Sequence, residues 1–88
     1  MKKGTLRRVR KHPDSREHAH FKEGMDIAFW DYPKVGHRFE CMEEARFIST
    51  SRVKRLILDD QDDHLLYVET ESGSEYELRS EEAQYKQA

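Results

Sequence analysis

Cysteine occurs once in the 88 residues, at Cys41, so no intramolecular disulfide can staple this chain. Small secreted domains generally depend on such staples, and a chain without them is expected in a reducing cytoplasm. Long apolar runs are absent as well. The N-terminus is basic, yet no stretch of seven apolar residues follows it, so neither a signal peptide nor a membrane span is expected. Glycine occurs four times, and none of these opens a phosphate-binding loop. The five histidines, at positions 12, 18, 20, 37 and 64, never fall at HxxxH or HExxH spacing, and no CxxC exists. Metal, cofactor and catalytic residues are therefore expected to be absent, because each needs a convergent set of ligands or a base beside a nucleophile.

What is present is one thin core. Hydrophobic residues make up 35% of the chain and charged residues 39%, and four Phe, four Tyr and one Trp supply much of the buriable area. A domain of this size is expected to be stable by only about 5 kcal/mol, which leaves a homo-oligomer open as a means of support. The net charge of −2 conceals a polarity along the chain. Residues 1–22 carry eight Lys/Arg against Asp14 and Glu17, whereas residues 59–88 carry ten Asp/Glu against Arg79 and Lys86. Either the basic end serves an anionic ligand or the two ends neutralise each other within one fold.

Residues 4–10 alternate and read as a first strand, followed by a turn at His12-Pro13-Asp14-Ser15. Residues 16–24 read as a loop or a short helical turn. The stretch 25–31 is a strand with Met25, Ile27 and Phe29 on one face, and 37–42 a strand with Phe39 and Cys41 inward. A connection at Glu43-Glu44-Ala45 leads to Arg46-Phe47-Ile48, and Ser49-Thr50-Ser51 then separates this from a further strand over 52–58. Asp59-Asp60-Gln61-Asp62-Asp63 reads as a solvated loop without calcium-loop spacing. Residues 65–70 and 75–79 flank Glu71-Ser72-Gly73-Ser74 as a hairpin. About six short strands with regular turns predict an all-β fold, a small antiparallel β-barrel of SH3-like or OB-like type. One domain is expected over 1–79, with a flexible tail over 80–88.

Two surfaces are candidates for binding. Arg46, Ser49, Thr50, Ser51 and Arg52 place guanidinium forks and hydroxyls within seven residues, a composition that suits phosphate or carboxylate, and Tyr76 is a candidate ring. The same hydroxyls equally suit local turn hydrogen bonds with the arginines in water. The alternative is the basic first strand, where Lys2, Lys3, Arg7, Arg8, Arg10 and Lys11 would meet nucleic acid, with Trp30, Tyr32 or Tyr76 as stacking rings. Either the rings stack or they pack the core.

Gly36-His37-Arg38-Phe39, the segment Arg46-Phe47-Ile48-Ser49-Thr50-Ser51-Arg52-Val53, and the final hairpin with Thr70, Gly73, Ser74 and Tyr76 carry a resemblance. They resemble a class of short proteins encoded by bacteriophages and other mobile elements, over about half of the chain. The pattern departs at Gly73, where Asn is expected. The resemblance implies a small β-barrel of phage type. Together with the small size and the absent catalytic set, it leads to the expectation of a non-catalytic accessory protein in the host cytoplasm. Such a protein would engage a host protein or an anionic signalling nucleotide and so counter host defence. A small nucleic-acid-binding barrel is the alternative.

Overall fold

The structure, a computed structural model, describes residues 1–10 and 24–82. Six strands are formed: β1 (Lys2–Arg10), β2 (Met25–Phe29), β3 (Arg38–Glu43), β4 (Arg46–Leu58), β5 (Leu65–Thr70) and β6 (Glu75–Ser80). Each pairs antiparallel with its neighbours in sequence, and β6 returns to β1, so the sheet closes into an all-β barrel. Closure suits a sheet this small, because an open one would expose two hydrogen-bonding edges. Among the described residues there is no helix, and so none long and apolar enough to cross a membrane. The expected turn at His12–Ser15, the segment 16–23, and residues 83–88 of the expected tail lie outside the described residues.

Period-two alternation decides what fills the barrel. Met25, Ile27 and Phe29 of β2 and Phe39 and Cys41 of β3 are buried as their phase predicts. Leu6, Val53, Leu66, Val68, Tyr76 and Leu78 complete the core, and the rings of Phe29 and Phe39 meet at 5.7 Å. The β5–β6 hairpin forms where the sequence predicts it, and Gly73 sits at φ +92°, a conformation that glycine adopts without steric cost.

One expectation is corrected. Ser49-Thr50-Ser51 is not a break between two strands but the middle of the 13-residue β4. The register explains how so long a strand fits so small a barrel. Arg52 pairs with Arg38 and Ser49 with Glu40, so Thr50 and Ser51 together face Phe39. A second irregularity leaves Lys54 as the extra residue between the Val53–Thr70 and Arg55–Glu69 pairs. Bulges of this kind bend a strand. The first half of β4 therefore pairs with β3 and the second half with β5.

Part of the charge polarity of the chain meets at the seam. Basic β1 lies beside acidic β6, Arg7 donates to Glu77 at 2.7 Å, and Arg10 is in register with Glu75. The seam is also tight. A Cβ on Gly4 would lie 2.3 Å from the Arg79 carbonyl oxygen, closer than real atoms approach. Gly4→Ala is expected to cost at least about 1–3 kcal/mol by forcing the strands apart. In a domain this small, that lowers Tm by about 4–8 °C per kcal/mol. An unchanged Tm would show that β1 and β6 are not so closely apposed.

Candidate functional site

The bend in β4 gathers cations. Between β2 and β3 the chain returns against it: the Gly36 N–H donates to the Val53 carbonyl at 2.8 Å, and the Val53 N–H to the His37 carbonyl at 2.8 Å. Val35 bridges to Val53 in parallel. Val53 itself is buried, so Arg52 and Lys54 on either side of it are turned outward and exposed. They stand beside Lys34, His37 and Arg38, which are exposed too. Arg38 and Arg52 are direct cross-strand partners, with Cα atoms about 4.5–5.5 Å apart in such a ladder. Like charges in that relation repel.

Among the described residues no salt bridge relieves this pair. Arg38 donates to the Thr50 carbonyl at 3.2 Å, and among the described residues no ion pair involves Lys34, Arg38, Arg52 or Lys54. Four other described arginines are matched: Arg7 with Glu77, Arg46 with Glu43, Arg55 with Glu69 at 3.1 Å, and Arg79 with Asp62 at 2.8 Å. Next to the cations is an open depression of about 220 Å³, lined by Trp30, Asp31, Lys34, His37, Arg38 and Glu40 among others. Trp30 on its rim is 49% exposed and leans on Phe47, itself 53% exposed, with ring centroids 6.4 Å apart and planes at 44°.

The six residues expected to bind a ligand do not converge. Arg46 is at the far end of β4, paired with Glu43 across the Glu44-Ala45 turn. Ser49 is exposed, and its hydroxyl reaches only the Thr50 carbonyl, at 3.5 Å. Thr50 is buried: its hydroxyl accepts the Phe39 N–H at 3.1 Å and donates to the Ser51 carbonyl at 2.7 Å. The Ser51 hydroxyl is held by Ser72 at 3.1 Å, and Ser72 in turn by Thr70 at 3.0 Å. Tyr76 is in the core. Arg52 alone of the six joins the cationic surface. The other members were missed, because their grouping depends on the register at the bulge.

The basic first strand is divided rather than presented as one face. Lys2 is half-buried, donates to the Trp30 carbonyl at 3.1 Å and lies over the Tyr32 ring. Lys3 is exposed, Arg7 is matched by Glu77, and Arg8 is half-buried in register with Tyr76. Arg10 is placed by its backbone alone, opposite Glu75. Lys11, and with it His12, His18 and His20, falls outside the described residues.

Among the described residues no group of three or more His, Cys, Asp or Glu could hold a metal ion. The acidic loop satisfies itself: Asp59 accepts the N–H groups of Gln61 and Asp62. The His64 N–H, and next Arg79, hold the Asp62 carboxyl below the usual carboxylate range. Cys41 is buried, and burial, followed by the charge of Glu43, pushes its thiol up to about 11. No protein-family model, curated protein or solved structure matches the chain.

Thr50→Val keeps the shape and removes the acceptor for the buried Phe39 N–H, so it is expected to destabilise the fold by about 1–3 kcal/mol. Chemical denaturation measures this directly, and a neutral substitution would detach the hydroxyl from the bulge. At Cys41 the raised pKa means that the protonated thiol contributes stability in full below pH 9, lost as pH rises towards 11. Native protein at pH 8 should accordingly resist alkylation, and unfolded protein should label at once. Rapid labelling of the folded chain would place the thiol at the surface.

Proposed function

We propose that this barrel is a non-catalytic binding module whose working surface is the bend of β4, and that it captures a phosphate-bearing anion there. One observation carries the reading: among the described residues Arg38 and Arg52 stand side by side without an ion pair, whereas Arg7, Arg46, Arg55 and Arg79 are each matched to a carboxylate. Like charges opposite each other across a ladder repel until an anion sits between them. A phosphate offers several acceptor oxygens to planar forks, which is the arrangement arginine suits best. Lys34 and Lys54 add charge that draws the ligand in.

An accessory protein of phage type, as the resemblance implies, would act by holding such a ligand away from its host receptor. A ligand that carries a nucleobase as well as phosphate fits this chemistry better than an acidic protein face, because the depression beside the cations is rimmed by the exposed Trp30 ring. The basic first strand is the weaker alternative, since Arg7 is already matched by Glu77 and Lys2 is occupied at Trp30 and Tyr32.

The two effects of Arg52 are separable. Arg52→Gln is expected to weaken binding of inorganic tripolyphosphate by about 1.5–3 kcal/mol, the usual value of a charge-assisted hydrogen bond. The same change removes a like-charge contact, so stability should hold or rise by about 0.2–1 kcal/mol. Calorimetric titration and thermal melts of both proteins give the two numbers. A lowered Tm with unchanged affinity would make Arg52 a structural residue and end the proposal.

A further inference from the structure

Resting on that anion-binding surface, we infer that the ligand is single-stranded nucleic acid, laid across the outer face of β2, β3 and β4 with bases on Trp30 and Phe47 and phosphates at Arg38 and Arg52. Three observations meet here. Phe47 is on the outward phase of β4, Trp30 directly follows buried Phe29 at the end of β2, and each leaves about half its surface in water. Their rings are tilted together, and Ala28 and Met42, in the same cross-strand row as Phe47, extend the apolar surface. Exposed rings on a small barrel beside a cationic track are what sequence-tolerant strand binders use, because every base has a face to stack.

Length decides between a strand and a mononucleotide. Across the bulge, Phe47 and Arg52 sit opposite Met42 and Arg38, four residues apart on β3, about 13 Å along that strand. One nucleotide stacked on Trp30 with its phosphate at Arg38, which line the same depression, would leave Phe47 and Arg52 unused, whereas a strand of several nucleotides engages all four. The acidic groups on this face set the path. Glu40 lies in register with Ser49, between the aromatic pair and Arg38, and Asp31 is on the rim of the depression. Both repel phosphate, so the backbone is held to the Arg38–Arg52 side and the bases turn towards the rings.

Trp30 is the sole tryptophan, so its fluorescence reads its own surface. The test titrates the full chain with an oligothymidylate of about eight nucleotides, a length within the usual site sizes. A duplex of equal length, tripolyphosphate and polyglutamate are run in parallel. The inference expects the single strand to quench Trp30 and tripolyphosphate to displace it. Phe47→Ala, with an unchanged Tm, should bind roughly 5- to 150-fold more weakly, the range for loss of one stacking ring. If tripolyphosphate binds through Arg52 but the oligonucleotide neither quenches Trp30 nor responds to Phe47→Ala, the strand reading falls and the anion site stands. If neither binds, both fall. Duplex bound as tightly as single strand, or polyglutamate bound as tightly as either, would likewise overturn it in favour of plain charge attraction.

Discussion

Where β4 turns from one half of the barrel to the other, the N–H of Phe39 is taken by a side chain, the Thr50 hydroxyl. A buried amide left without an acceptor costs as much as a lost hydrogen bond. That single contact therefore stabilises two residues facing one, and the bulge bends the strand. Ser51, the second residue of the bulge, is tied through Ser72 to Thr70, which fixes the bend against the β5–β6 hairpin. The outward direction of Arg52 and Lys54 follows from this bend and from the burial of Val53 between them.

Charge is used in two different ways on one small surface. Around β1, β5 and β6, opposite charges are registered across strands, as with Arg7 and Glu77 or Arg55 and Glu69, and their fields close on one another. Exposed pairs of this kind contribute little to stability, about 0–1 kcal/mol each. Each such pair partly cancels its own field. At the bend of β4 the field stays open, because Arg38 faces Arg52.

The barrel was legible in the sequence where phase alone decides. Met25, Ile27 and Phe29 alternate with polar or small neighbours, and burial followed that alternation without exception. Tyr76 shares its phase with Leu78, which already places it in the core rather than at a site. Phe47 was legible in principle, as a large apolar residue on the outward phase of β4, and so was Trp30, directly after buried Phe29. The cationic surface was not, because Arg38 and Arg52 become partners only after one residue is added to β4, and a bulge has no residue signature as plain as a turn's. Thr50 illustrates the difficulty. The hydroxyl that looked like a ligand group is the one that builds the bend.

The seam between β1 and β6 has a consequence for how the chain comes into being. Arg7 and Glu77 are 70 residues apart, and Gly4 is in register with Ser80. A ribosome delivers β1 first, and β1 must wait for almost the whole barrel before its second neighbour exists. Through that interval β1 and the latest strand to emerge both present bare edges, each a template for another nascent chain. Pairings of such long sequence separation are also slow to form, since loop closure precedes any gain from the contact. Lysines and arginines on the waiting strand are then useful during synthesis, because charged edges repel their own copies until acidic β6 arrives.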